Sequence, residues 1–250
     1  MDNDIFFIQE RWLWLTGSVI LALGAAWVRW SIQQKHRKSP LQWWQRWQNW
    51  SGRQWVVLIL QFLYAIGIPA LALFWRRILT ERGLGLQPLP VPITSATPDI
   101  LQTQWQDWVK DIGWTIGITA TASLIRFIST QMLKRINGIP NTTPRDFGKA
   151  LRDALYYQTH WAFYREPFVL IFGASTGTWA GLLPLAFETG LNPTHWTDWH
   201  TSKEKLLQRA FLAVVSAMLY MQTQNFWMLL LADILLGWGI EREEKPQKAA

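Results

Sequence analysis

The 250-residue chain contains no cysteine, which excludes disulfide bonds, thiolate nucleophiles and metal sites held by cysteine. Charged residues are also few, at 16% of the chain. There is no glycine-rich phosphate loop, and the Gly-x-Ser-x-Gly letters at 173–177 lie inside an apolar run with no strand before them. None of the histidines lies in the middle of an apolar run, so ligation of haem or chlorophyll through imidazole is not indicated.

Long apolar runs are the main feature that is present, since half of the residues are apolar. A helix that crosses a bilayer needs about 20 mainly apolar residues. The sequence therefore predicts an all-α integral membrane protein, a bundle of about five transmembrane helices with one tryptophan-rich interfacial helix. The predicted spans cover residues 12–28, 55–75, 112–133, 168–187 and 206–238.

Tryptophan is unusually frequent, with 19 residues, and it favours the boundary between membrane and water. The predicted interfacial helix covers residues 41–52, where Trp43, Trp47 and Trp50 share one helical face. Arg46 and Arg53 are expected to reach toward lipid phosphates. Membrane lipids are thus one predicted partner of the chain.

Basic residues are concentrated in two loops. Residues 29–53 hold six basic and no acidic side chains, and residues 134–166 hold six basic and three acidic ones. With five spans these loops lie on the same side, so the positive-inside tendency places the N-terminus outside and the C-terminus in the cytoplasm. We therefore expect the cytoplasmic membrane of a prokaryote. The net charge of +7 does not by itself indicate nucleic acid, and no nucleic-acid partner is predicted.

The predicted organisation has three parts. An N-terminal membrane region, residues 1–133, holds three spans and a proline-rich loop at 83–98. A membrane core, residues 134–238, opens with an amphipathic helix at 146–165. A charged tail follows at 239–250.

Glycines at four-residue spacing predict surfaces where helices approach closely. Such surfaces are expected to bind other membrane subunits. The residues are Gly113, Gly117, Gly173, Gly177 and Gly181.

Polar residues interrupt the last apolar run, residues 206–238. If the run forms one continuous helix, Gln222, Asn225 and Asp233 fall on one stripe together with Leu229. Because polar groups are costly inside a membrane, this stripe is expected to face protein rather than lipid.

The same run resembles the last conserved motif of the CPBP family, the group of CAAX-prenyl and bacteriocin-processing intramembrane proteases. Thr223, Asn225 and Trp227 match positions of that motif, whereas Asp233 stands where the family has a catalytic histidine. The resemblance extends over about residues 146–238.

The family's two earlier motifs are matched less completely. Residues 160–165 keep the aromatic and arginine positions of the first motif, but His160 and Trp161 replace its two glutamates. The middle motif would place its histidine at Glu188.

The resemblance implies a fold built for hydrolysis by water that a glutamate activates and histidines position. Because these positions are replaced, the predicted function is a non-catalytic accessory, structural or assembly subunit of a larger membrane complex. One alternative is an active protease that uses His160, Glu188 and Asp233, although the predicted spans put Glu188 across the membrane from His160. A pigment- or lipid-associated subunit of a photosynthetic or respiratory complex is the other alternative.

Further residues are predicted to bind rather than catalyse. Tyr164 and Arg165 follow from the first motif, and Gln222 and Asn225 from the polar stripe. No cofactor is predicted, and metal, lipid and pigment stay open. The weak metal candidates are His195 and His200, whose five-residue spacing does not place both on one helical face.

Overall fold

A computed structural model describes residues 2–38, 42–74, 84–88, 98–137, 142–143, 146–193, 196, 199–238 and 241–242. These residues are almost entirely helical, which confirms the predicted all-α class. They also include a two-residue antiparallel pair, β1 (Thr142–Thr143) with β2 (Glu241–Arg242). Most of the proline-rich loop at 83–98 and of the tail at 239–250 lies outside the described residues.

The described helices, in chain order, are α1 (Asp2–Lys38), α2 (Gln42–Asn49), α3 (Arg53–Phe62), α4 (Ile68–Phe74), α5 (Pro98–Asn137), α6 (Phe147–Ala180), α7 (Leu182–Gly190), α8 (Trp199–Thr223) and α9 (Phe226–Gly237). A π-helical turn, Leu63–Gly67, joins α3 to α4. Here the N–H of Ile68 bonds the carbonyl of Leu63, one residue beyond the α-helical partner, just before Pro69.

Three described helical segments are long and apolar enough to cross a membrane, namely Gln9–Lys35, Arg53–Phe74 and Gln102–Met132. They correspond to the first three predicted spans. A fourth is reached only if the bent pair Phe147–Ala180 and Leu182–Gly190 counts as one span. The count is therefore lower than the predicted five.

The predicted fourth span, residues 168–187, is wrong as one straight helix. Gly173 has φ 76° and ψ 172°, a conformation outside the α region that glycine adopts at little cost. A Cβ built on Gly177 would meet the backbone of residues 168–169. Eight residues of continuous helix would separate these atoms by about 12 Å, so the chain has reversed its direction.

The same reversal brings Gly181 against Arg165, where an added Cβ would lie 2.7 Å from the arginine Cα. Residues 160–172 and 174–188 thus form a helical hairpin with a very close backbone approach. Gly177 and Gly181 pack against their own chain, and the prediction that the glycine faces bind other subunits stays a prediction.

The predicted single helix over residues 206–238 is also wrong, because it breaks into α8 and α9. Gln224 has φ 46°, and Asn225 is extended and caps α9 by accepting a hydrogen bond from the N–H of Trp227 at 3.0 Å. The break changes the helical register. Gln222 is consequently exposed, whereas Asn225 and Asp233 are buried.

The residues cluster into two compact units. The first combines Met1–Gly85 with Thr159–Phe211, and the second combines Leu86–Gln158 with Leu212–Ala250. The predicted three-part division of the sequence stays a prediction.

In the second unit, α5 packs against α9. Arg126 of α5 donates to the carbonyl of Leu236 in the last turn of α9, where a cation also interacts favourably with the helix dipole. The ring of Phe147 meets that of Trp238 with centroids 5.4 Å apart.

The tryptophan-rich helix α2 covers Gln42–Asn49, within the predicted 41–52, and none of its residues is buried. Trp47 and Trp50 contact each other with ring centroids 5.5 Å apart. This is the local structure that the sequence predicts, and its place at a membrane surface stays a prediction.

Candidate functional site

The first unit holds a polar cluster around the carboxylate of Glu188. Its Oε1 accepts a hydrogen bond from the hydroxyl of Tyr64 at 2.7 Å and another from the hydroxyl of Tyr164. The two hydroxyls are 3.1 Å apart, and that of Tyr164 lies 3.2 Å from the Oγ of Ser18. We call these residues, with His160, the Glu188 cluster.

His160 is the basic member of the cluster. Its Nε2 lies 3.1 Å from the Tyr64 hydroxyl and 3.6 Å from Glu188 Oε1. Its ring lies between two tyrosine rings, with centroids 4.7 Å from Tyr64 and 4.3 Å from Tyr164. The side chain is 9% exposed and that of Glu188 17% exposed, so the pair is mostly but not fully enclosed.

Three local features position these side chains. Tyr64 lies in the π-helical turn Leu63–Gly67, a kind of distortion that is frequent at functional sites. Ser18 is one of the few buried residues of α1. The hairpin that reverses at Gly173 returns α7 alongside α6, which places Glu188 opposite His160.

Two charged residues adjoin the cluster on α6. Arg165 is fully buried, lies 4.5 Å above the ring of Trp161 and donates to the carbonyl of Leu84 at 3.2 Å. Glu166 is fully buried too, with its Oε2 3.5 Å from Nε of Arg11. These contacts fix α6 within the unit by charge-assisted interactions.

The second unit holds a polar cluster around Asn225, which we call the Asn225 cluster. The amide nitrogen of Asn225 donates to Oδ2 of Asp111 at 3.0 Å and to Oε1 of Gln87 at 3.2 Å. The side-chain nitrogen of Gln87 in turn donates to the carbonyl of Thr223 at 3.1 Å, and the backbone carbonyl of Gln87 accepts from the indole of Trp227 at 3.1 Å. Both polar atoms of the Asn225 side chain are thereby hydrogen-bonded, so the residue caps a helix and also links chain segments.

Asp233, the third residue of the predicted catalytic set, is buried in the second unit. Its Oδ2 accepts from Nε2 of Gln158 at 3.3 Å, and the same nitrogen donates to Oγ of Ser216 at 2.9 Å.

The structure thus brings together His160, Glu188 and Tyr164 of the predicted site residues. The expectation that Glu188 lies across the membrane from His160 is wrong, because the reversal at Gly173 replaces the straight span on which it was based. Arg165 is buried nearby, as a residue that packs against Trp161.

The weak metal candidates fall mostly outside the described part of the chain. His195 lies outside it altogether, and His200 lies in α8 with an undescribed side chain. Among the described residues, no group of three or more histidines, aspartates and glutamates could hold a metal ion.

Sequence reasoning missed several residues of both clusters, including Ser18, Tyr64, Gln87 and Asp111. A usable signal was present for two of them, since Ser18 and Tyr64 are polar residues near the centres of otherwise apolar runs. No comparable signal marks Gln87 and Asp111, whose role becomes apparent only in the fold, where both accept from the amide of Asn225.

Comparison with known proteins finds no matching family model, no matching curated protein and no matching solved structure. The CPBP resemblance therefore depends on the motif residues alone. The geometry defines what the Glu188 cluster can do chemically. It offers one carboxylate, one imidazole and three hydroxyls within a few ångströms, a set able to hold a proton or to orient a water molecule.

Proposed function

We propose that the chain is an integral membrane protein that works without catalysis, as an accessory or assembly subunit of a larger membrane complex. It would be a CPBP-like scaffold whose catalytic motifs have degenerated, with the N-terminus outside and the C-terminus in the cytoplasm. Three long apolar helices and the exposed apolar side chains along them support membrane insertion.

The bonding of Glu188 carries this proposal. Its Oε1 already accepts the hydroxyls of Tyr64 and Tyr164, and these bonds connect α7 to the π-helical turn and to α6. Both hydroxyls bond the same oxygen, so Oε1 is engaged in joining helices, as buried polar groups in membrane proteins commonly are.

A small-residue face on α5 supports the proposal of a partner. A Cβ added at Gly113 or Gly117 would meet nothing within 4 Å, so this small-residue face is open in the described structure. Such a face permits close approach of a second transmembrane helix.

The test is isolation of the full chain from its native membrane in mild detergent. We expect a stoichiometric complex, and Gly117→Leu should reduce recovery of the partner. Ala25→Leu is the matched control, because Ala25 is an exposed small residue on α1. Recovery of a lone monomer with peptidase activity would reject the proposal.

A second candidate function, intramembrane hydrolysis, is favoured by one observation. His160 Nε2 and Glu188 Oε1 are 3.6 Å apart, so an imidazole and a carboxylate meet where the resemblance places a glutamate and a histidine in the opposite order. In this function Glu188 would accept the proton of water, and His160 would orient that water or donate to the leaving group.

Peptidase assays with prenylated peptides distinguish the two functions. Hydrolysis predicts that His160→Gln and Glu188→Gln each lower kcat by at least about 100-fold, the usual contribution of a general acid or base. Gln222→Ala, an exposed change, is the control. If the wild-type chain has no activity, or if its activity survives both changes, hydrolysis by this pair is rejected and the scaffold function is retained.

A further inference from the structure

Two consecutive residues ahead of α5, Gln87 and Pro88, are held by hydrogen bonds from α5 and from the break between α8 and α9. The side-chain amide of Gln87 is bound at both ends, since its Oε1 accepts from the amide of Asn225 at 3.2 Å and its Nε2 donates to the carbonyl of Thr223 at 3.1 Å. A carboxylate or an apolar side chain in the same place would leave one or both of these groups unpaired. The second unit thus holds a binding position that fits a glutamine side chain.

The backbone of the same two residues is bound by tryptophan. The carbonyl of Gln87 accepts from the indole N–H of Trp227 at 3.1 Å, and the carbonyl of Pro88 accepts from the indole N–H of Trp108 at 3.2 Å. Because Gln87 precedes a proline, its backbone is restricted to extended conformations. Extended proline-rich peptides are commonly recognised by aromatic side chains in this way, because their conformation is already formed before they bind.

The bound pair lies at the surface of the second unit. Pro88 and Trp227 are exposed, and Gln87 and Trp108 are half-buried. Trp108 is also within the first two turns of the candidate span Gln102–Met132, which is where tryptophan favours the boundary between membrane and water. A peptide dissolved in water can therefore reach these groups.

We propose that Thr223, Asn225 and the two tryptophans form a recognition site for an extended Gln-Pro segment of a partner protein, and that the chain's own residues 87–88 occupy this site. None of the four hydrogen bonds requires a covalent link between the bound pair and the site, so a free peptide with the same pair can make all of them. The partner segment binds by exchange with residues 87–88. The site uses residues other than Gly113 and Gly117, so the inference goes beyond the proposed function.

Binding of a synthetic peptide to the purified full chain in detergent tests the site. The probe has the sequence of residues 84–90, Leu-Gly-Leu-Gln-Pro-Leu-Pro, with a trifluoroacetyl label that fluorine NMR detects. A tethered segment competes at an effective concentration on the order of millimolar, so a site that it fills has an intrinsic Kd below that value. Gln87→Ala removes both side-chain bonds of the tethered pair, and we expect it to tighten peptide binding by about tenfold or more relative to the wild-type chain.

Further variants in the Gln87→Ala background locate the bound peptide. Trp108→Phe and Trp227→Phe each remove one indole N–H and keep an aromatic ring, so each should weaken binding by about fivefold, the equivalent of one net hydrogen bond. Trp105→Phe changes an exposed tryptophan of the same helix, so it is the matched control and should leave binding unchanged. A second peptide with alanine in place of glutamine should bind about tenfold more weakly than the first, because it lacks both amide bonds.

Several results would overturn the inference. If the Gln87→Ala chain binds no peptide at millimolar concentration, the site does not exist. If binding survives Trp108→Phe and Trp227→Phe together, the peptide binds elsewhere, and equal binding of the glutamine and alanine peptides would show that the site does not select glutamine. A wild-type dimer that Gln87→Ala converts to a monomer would mean that residues 87–88 bind a second copy of the chain instead. None of these readouts depends on recovery of a native complex, so the peptide site and the proposed function can fail separately.

Discussion

The two units hold a buried carboxylate in different ways. In the first, Glu188 accepts two tyrosine hydroxyls and lies beside an imidazole, and part of it stays exposed. In the second, Asp111 is bound by the amide of Asn225, which is fully buried and also caps a helix. A hydroxyl can donate or accept a hydrogen bond by rotating and an imidazole can gain or lose a proton, whereas an amide has fixed donors and acceptors.

This contrast separates two roles for polar groups inside an apolar protein. The Asn225 cluster has fixed donors and acceptors, so it is suited to define one backbone geometry at the break between α8 and α9. The Glu188 cluster has groups whose protons can be rearranged, so it is the place where chemistry would occur if the chain has any. Variants of the two clusters test whether they differ in this way.

The largest effect is expected from closing the space beside Gly181. Gly181→Val would put its side chain into the backbone of Arg165, where even a Cβ lies 2.7 Å from the arginine Cα. The hairpin would then separate Glu188 from Tyr164, and we expect the first unit to lose its stable fold.

The control is Gly117→Val on α5, where the added Cβ meets nothing within 4 Å. Far-UV circular dichroism and limited proteolysis in detergent report the outcome. Equal behaviour of the two variants would show that the close approach of the hairpin is not required.

The next effect concerns Asn225. Asn225→Leu removes the cap of α9 and leaves Asp111 and Gln87 without their donor. Loss of a cap costs about 1 kcal/mol, and a buried carboxylate stripped of its donor costs about 1–3 kcal/mol more, so we expect a loss of about 3 kcal/mol.

Denaturant unfolding in mixed micelles measures this loss. Gln222→Leu, three residues away and exposed, should change stability by less than about 0.5 kcal/mol. If both changes cost the same, the hydrogen bonds of Asn225 do not define the break between α8 and α9.

A smaller effect is expected for the tyrosines of the Glu188 cluster. Tyr64→Phe and Tyr164→Phe each remove one donor to Glu188, at about 1.5 kcal/mol each because the acceptor is charged. Since the two hydroxyls share one oxygen, the double variant should cost less than the sum of the two.

A double-mutant cycle measures this coupling, and Glu188→Gln should reduce it. Strict additivity in the wild-type background would indicate that the two hydroxyls do not share the carboxylate.

Part of this fold can be predicted from sequence because hydrophobic length is a local property. The apolar runs around Ser18, Tyr64 and Thr115 each identify a helix long enough to cross a membrane. Asn225 and Asp233 are correctly predicted to be buried, because polar residues in an apolar run must face protein.

The rest depends on long-range geometry that periodicity does not contain. Glycines 173, 177 and 181 have the same spacing whether they pack against another helix or line a hairpin, so Gly173 cannot be recognised as the turn. Glu188 contacts Tyr64 across 124 residues of sequence, and the local sequence around neither residue indicates this contact. Gln222 is misplaced because the helix break at Gln224 shifts the register.

The smallest effect is expected for two threonines of α5, and the informative result is whether each variant raises or lowers the stability. Thr115 and Thr119 are both buried, but Thr115 donates to the carbonyl of Asp111 at 2.7 Å, whereas the hydroxyl of Thr119 has no partner. Thr115→Val should therefore cost about 1 kcal/mol, the net value of a hydrogen bond. Thr119→Val replaces an unsatisfied hydroxyl by a methyl group of the same shape and should be neutral or stabilising by up to about 1 kcal/mol. Unfolding midpoints of the two variants that shift in the same direction would show that hydrogen bonding does not distinguish these two positions.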